Sequence, residues 1–193
     1  HGEYLARLGQ DRLRALRERL QPESWRSQLA AEQQEETGYT RDEVMIVGAA
    51  RELERLIQRK TYRRVLAGIG ASHLAAWLVA DRLRDTGYEV ALLAEVGLYD
   101  YHPYPADPFI FSLRNVPTAP LSTDLVTLLG ALVGGPTAHC LGVIGAAQVD
   151  RRGNVNSSKV PQVGLYLVGS GGGNDVASVA EEVVVVARQS PHR

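Results

Sequence analysis

A single carboxylate, Glu95, stands where the apolar run Val90-Ala91-Leu92-Leu93-Ala94 gives out, with Gly97 close behind it. The run reads as a buried strand. A carboxylate at the mouth of such a strand is costly unless it is solvated, paired or used. Put to use, it serves as a nucleophile or as a general base on water. The plainer reading makes it the first polar residue of a loop. A second cluster, Gly169-Ser170-Gly171-Gly172-Gly173-Asn174-Asp175, places four glycines in five residues after a predicted strand. Glycine costs backbone entropy, and a plain turn needs fewer of them. The density makes sense where main-chain N–H groups approach a ligand closely or receive developing negative charge.

Other candidates carry less. Gly68-Ile69-Gly70-Ala71-Ser72-His73 follows a predicted strand and opens a helix, as a dinucleotide fingerprint does, but His73 stands where the third glycine belongs. The tight strand-to-helix turn remains, and its helix N-terminus suits a phosphate or a pantetheine amide. Neither lysine follows a glycine loop of the Walker A kind. The histidines His1, His73, His102, His139 and His192 show no ligand spacing, so no metal is expected. Cys140 lies in an apolar stretch and reads as packing. No serine occupies a G-x-S-x-G elbow. Tyr99, Tyr101 and Tyr104 read either as a pocket wall bearing hydroxyls or as packing.

These groups need elements to hold them. Leu5, Leu8, Leu13, Leu16 and Leu20 fall near helical spacing up to Pro22, and residues 23–36 read as a more polar helix anchored by Trp25 and Leu29. Thr40 and Glu43 have capping-box spacing ahead of a helix whose apolar face is Val44, Val47, Ala50, Leu53, Leu56 and Ile57. Beyond residue 62 strand and helix alternate: a strand at Val65–Ala67, a helix capped by Ser72 and stopped at Gly87, and a strand from Tyr88 to Ala94. A long loop over 96–120 carries a short strand at Phe109-Ile110-Phe111. A helix capped by Ser122 or Thr123 runs through Leu132. A strand follows at Leu141–Ile144, then a turn at Asp150–Asn154, and Leu165–Val168 leads into the glycine cluster. A short helix over 175–180 and a fully buried strand at Val183–Val186 complete the pattern. Such alternation predicts an α/β fold, a mostly parallel open sheet with flanking helices, at residues 61–193 behind a helical N-terminal arm at 1–60.

Composition excludes several classes. The 193 residues are 45% hydrophobic and 22% charged, with a net charge of −1. No basic field points to nucleic acid. No run approaches the roughly 20 apolar residues of a membrane span, and no signal peptide is read at the start. With Cys140 as the sole cysteine, an internal disulfide is impossible, and a reducing, cytoplasmic setting is expected. His1-Gly2 in place of an initiating Met reads as a tag remnant or a cut from something longer.

Three segments together resemble the catalytic, beta-type half of the family I CoA-transferases. AEVGLYDYHPYP (94–105) resembles that family's S-E-N-G…G-P-Y-P segment, GAAQVDRRGNVNSSKV (145–160) its G-A-x-Q-V-x-x-x-G-N-x-N segment, and GSGGGNDVAS (169–178) its G-x-G-G-x-x-D segment. Order and spacing agree, and the likeness runs from about residue 65 to 188. The resemblance implies that Glu95 is the nucleophile that carries CoA as a glutamyl thioester between an acyl-CoA and a carboxylate. It implies that Gly171 and Gly172 supply a backbone oxyanion donor. Gly68, Gly70, Gly97, Gln148, Asn154, Gly169 and Gly173 are then expected to brace the site or touch substrate. CoA enters as the acyl-CoA substrate, without a metal. A partner is implied, an alpha-type half on a separate chain or a fused segment, in a hetero- or homo-oligomer. The chain departs from the pattern at Ala94 and Val96, where the family has Ser and Asn. A CoA-thioester or ring-opening carbon–carbon hydrolase on the same scaffold, and a non-catalytic companion chain, stay open as alternatives.

Overall fold

The computed structural model describes residues 38–102 and 109–188. The leucine repeat ahead of Pro22, the Trp25 segment and Tyr104 lie outside the described residues.

The first helix, α1 (Arg41–Lys60), begins at the expected capping box: the Glu43 N–H donates to Thr40 Oγ1 at 3.3 Å, and the Thr40 N–H donates to a Glu43 carboxylate oxygen at 2.7 Å. Its second half buries Leu53, Leu56 and Ile57, each contributing roughly 1.5–3 kcal/mol by leaving water. Its first half differs from the expected face. Val44 is 59% exposed, and Met45, Ile46 and Ala49 pack inward beside Ala50, so the buried stripe is rotated by about one residue at this end. The helix lies along α2 (Ala71–Asp85). Lys60 Nζ pairs with Glu182 at 2.7 Å, and Arg188 with Asp42, tying both ends of α1 to the last strand and its continuation.

One sheet holds β1 (Arg64–Ala67), β2 (Ala91–Ala94), β3 (Leu98–Tyr99), β4 (Leu121–Ser122), β5 (Cys140–Gly145) and β10 (Glu182–Val186) in the order β10-β5-β1-β2-β3-β4. The first four in that order are parallel, and β3 pairs antiparallel with both β2 and β4. Two separate hairpins, β6 (Gln148–Val149) with β7 (Val155–Asn156) and β8 (Lys159–Val160) with β9 (Leu165–Tyr166), stand between β5 and the glycine cluster. The strand alternation sorts the core into two layers. Val65, Ala67, Leu92, Ala94, Leu141 and Val143 face α1 and α2. Leu66, Leu93, Cys140 and Ile144 face a helical turn α3 (Leu125–Thr127), its π-helical continuation Leu128–Val133, and α4 (Gly173–Val179). Burial in this second layer pushes the Cys140 thiol up to about 12, which keeps it protonated, in line with a packing role. At Gly142 the α4 layer comes close: a β-carbon there would lie 2.8 Å from Val176 Cγ1 and 3.1 Å from Ala180 Cβ.

Several local expectations need correction. Gly70, not Ser72, precedes the first turn of α2. The Ser72 hydroxyl instead donates to the Gly68 carbonyl at 2.9 Å, so it closes the loop from inside the helix. Strand pairing starts only at Ala91, because Tyr88–Val90 have no neighbour in register. Phe109-Ile110-Phe111 is not a strand: Ile110 and Phe111 form a turn that buries Ile110 and stacks the two rings edge to face. Asp124 caps the next helix through the Thr127 N–H at 2.8 Å, since Ser122 is taken by β4. Leu165–Val168 contributes only an exposed two-residue strand to a hairpin. The valines of β10 are mostly half-buried, because the strand is an edge paired with β5 alone.

Among the described residues no helix is long and apolar enough to cross a membrane.

Candidate active site

Parallel strands gather their loops on one edge, and the crevice beyond their carboxyl ends is where such sheets bind ligands. The strand order makes that crevice here. From β1 the chain moves through α2 to β2 on one side, whereas β5 leads to β10 on the other.

Glu95 is the first residue past β2, in the turn Glu95-Val96-Gly97 that folds the chain back into β3. Gly97 makes the turn possible. Its N–H donates to the Ala94 carbonyl at 3.0 Å, and its carbonyl accepts the Thr123 N–H at 2.8 Å. Its φ is +96°, and a β-carbon would lie 1.9 Å from the Thr123 carbonyl oxygen, so both conformation and space demand glycine. The turn holds Glu95 half-buried between the apolar Ala94 and Val96.

The glycine cluster arrives at the same place from the far end of the chain. A β-carbon on Gly172 would sit 2.1 Å from Glu95 Oε2 and 2.9 Å from its Cδ, and one on Gly171 would sit 3.8 Å from Oε1. Bare backbone at these positions therefore lets the loop lie directly on the carboxylate. Gly173 opens α4, and Gly169 is exposed with nothing within 4 Å of its β-carbon position. Gly142 supports this contact from below, because it lets α4 settle onto β5 and so sets the height of the loop.

The remaining expected positions lie around this pair. The Gly68 N–H donates to the Val143 carbonyl at 2.9 Å, where β1 leaves the sheet, and Gly70 follows at the start of α2; a β-carbon at either would meet no atom of Glu95 within 4 Å. Gln148 is half-buried in β6, its Oε1 accepting from Asn156 Nδ2 at 2.8 Å. Asn154 is exposed in the β6–β7 turn, where its side chain donates to Asp150 at 2.7 Å. That bond and the backbone N–H groups of Asn154 and Arg152 hold the Asp150 carboxyl below the usual carboxylate range.

Three features escape sequence reasoning. Asn156 knits the hairpins together, and its place in the G-N-x-N motif is the available signal. His73, in sequence only the residue that displaces a glycine, is fully buried and stacks on Tyr101 with ring centroids 5.9 Å apart while its Nε2 meets the Tyr101 hydroxyl. Tyr101 is thus core and not pocket wall, whereas Tyr99 is half-buried. Burial first, and then Arg84, pulls the neighbouring His102 down to about 4, so it is neutral at physiological pH.

No protein-family model matches the chain. One of the subunits of the 3-oxoadipate CoA-transferase from Pseudomonas knackmussii is 33% identical over 167 residues, which is 81% of this chain and 57% of that protein. The chain therefore spans little more than half the length of this curated relative. Among solved structures, glutaconate coenzyme A-transferase from Acidaminococcus fermentans matches with a TM-score of 0.62 and 24% identity, over 78% of this chain and 57% of that one. The AibA/AibB decarboxylase matches in fold with a TM-score of 0.56 and 20% identity, over 77% and 59%. Over the matched 81% of its length the chain is thus similar to a CoA-transferase subunit, and it shares the fold of glutaconate coenzyme A-transferase.

Proposed function

We propose that this chain is the nucleophile-bearing half of a CoA-transferase and that Glu95 carries the CoA. The observation that supports this most directly is the bare Gly172 backbone seated on the Glu95 carboxylate. A half-buried carboxylate is less stabilised by water and so more nucleophilic. A Glu95 oxygen attacks the acyl-CoA carbonyl and expels the CoA thiolate, leaving a mixed anhydride. The thiolate then attacks the Glu95 carbonyl carbon, releasing the first carboxylate and leaving a glutamyl-CoA thioester. An acceptor carboxylate repeats the two steps in reverse and leaves Glu95 free, with no net proton change. In this reading backbone N–H groups of the Gly171–Gly172 segment stabilise the oxyanion at each addition, a role whose loss typically costs about 3–4 kcal/mol. Contacts to the CoA tail help to orient the reacting centre.

An alpha-type half completes the site in this reading. The hairpin region supports a partner surface: residues 161–170 are all exposed, and Val163, Tyr166 and Val168 present apolar area beside the glycine loop. The single buried thiol of Cys140 suits a cytoplasmic setting.

A second reading, a hydrolase on the same scaffold, uses the same Glu95 as a general base on water or as a nucleophile whose adduct is hydrolysed. One experiment separates the two. The chain, with its partner half, is incubated with a panel of acyl-CoAs, reduced with borohydride and weighed intact. Transfer predicts a CoA-sized or borohydride-trapped adduct that disappears in Glu95→Ala, with turnover falling on the order of 10⁴-fold. Acyl-CoA consumed without an adduct would favour hydrolysis. Full turnover by Glu95→Gln would sink both.

A further inference from the structure

Gln148 and Asn156 face each other across the β6–β7 hairpin, and the Ala147 N–H donates to the Asn156 carbonyl at 2.9 Å to hold that register. The side chains form a chain of fixed orientations. Asn156 Oδ1 accepts the backbone N–H of Ser158 at 3.3 Å and of Lys159 at 3.4 Å. A backbone N–H can only donate, so the Asn156 atom facing it is the oxygen. The Asn156 Nδ2 is thereby turned the other way, where it donates to Gln148 Oε1 at 2.8 Å and to the Lys159 carbonyl. With its oxygen occupied by an N–H donor, the Gln148 amide has only Nε2 left to offer, and among the described residues that nitrogen has no partner.

Gln148 lies just beyond β5, on the same carboxyl edge as Glu95. Their parent strands are separated by β1 alone, which puts the strand ends about 10 Å apart. We infer that Asn156 sets the orientation of the Gln148 amide, so that Gln148 presents N–H donors to the crevice and takes a carbonyl oxygen of the bound acyl-CoA. The inference rests on the CoA-transferase reading and deepens it: Gln148 is a binding residue, and Asn156 a positioning residue that acts through it.

Acetyl-CoA binding tests this, measured by titration calorimetry on the full chain with its partner half. Glu95→Gln is carried throughout, so that no covalent step occurs. Gln148→Met removes the donors. Asn156→Asp keeps the acceptor for Ser158 and Lys159 but turns an oxygen toward Gln148, which reverses the amide. Each change is expected to weaken acetyl-CoA binding about tenfold, the loss of one neutral hydrogen bond. Combined, they weaken it no further than either alone, because both act on the same pair of donors. A separate tenfold loss from Asn156→Asp in the Gln148→Met background would overturn the positioning role, as would unchanged binding by Gln148→Met. Gln148→Glu is a second probe that leaves Asn156 its acceptor. Binding falls at least as far as with Met, and unchanged binding counts against the inference. Free CoA as the probe tells which carbonyl is held: equal losses point to a pantetheine amide, losses confined to acetyl-CoA to the thioester. If the Glu95→Gln complex binds no acetyl-CoA at all, the CoA-transferase reading fails and takes the inference with it. That result is distinct from intact binding that ignores Gln148.

Discussion

Two glycine loops meet the carboxyl edge of this sheet, and they contain glycine for different reasons. In the loop at 169–173, Gly172 is there for space: a side chain would occupy the volume of the Glu95 carboxylate. In the loop at 68–70, space is not the issue. A β-carbon on Gly68 would find ordinary contacts at 3.8 Å to Ser72 Oγ and 3.9 Å to the Val143 carbonyl, and one on Gly70 would find nothing within 4 Å. Gly70 is required by its backbone alone, with φ at +93° and ψ at −141°. The contrast shows that glycine density by itself does not distinguish a surface laid against a carboxylate from a tight entry into a helix.

Substitutions can break that contrast. The largest effect is expected for Gly172→Ala. The atom in the way is the far end of a flexible side chain, so Glu95 swings aside at little cost to folding. The proposed nucleophile is nevertheless displaced by an ångström or more, which is expected to lower kcat/KM roughly 10²-fold. Steady-state kinetics beside a thermal melt reads both, and a fully active Gly172→Ala enzyme would remove the structural support for the proposed site. Gly142→Ala comes next. Its β-carbon meets Val176 and Ala180, side chains anchored in the core, so α4 must lift; a loss of about 1–3 kcal/mol in denaturant unfolding is expected, with reduced activity because α4 carries the loop. Gly70→Ala strains the entry to α2 by on the order of 1–3 kcal/mol and should lower the melting temperature more than it lowers kcat. Gly68→Ala sharpens the comparison by doing little, within about 0.5 kcal/mol in stability. A large activity loss there with unchanged stability would show that this loop, too, approaches a ligand.

Much of this is legible in the sequence, and the reason is local. The capping box at Thr40 and Glu43, the alternation that makes β1, β2 and β5, the stop at Gly87 and the turn at Asp150–Asn154 all depend on contacts a few residues apart. Expectations fail where distant partners decide. Phe109–Phe111 has strand-like residues but forms a turn that buries Ile110. Val183–Val186 looks like a central strand and lies at the edge, because the neighbours of a strand are set by the path of the whole chain. For Tyr101 the sequence leaves pocket wall and packing both open, and a neighbour twenty-eight positions away, His73, decides for packing.

The site divides along the same line. Residue types and short-range periodicity are enough to put a carboxylate at the end of a buried strand, to open a later helix with a glycine-dense loop, and to set both on a mostly parallel α/β sheet. They are silent on three contacts that appear once the chain is folded: Gly172 lies on Glu95, Gly142 lets α4 come close to β5, and Asn156 donates to the amide oxygen of Gln148. Each of those depends on which side-chain atoms, or missing β-carbons, come within a few ångströms once the elements pack together, and that is decided by the path of the folded chain.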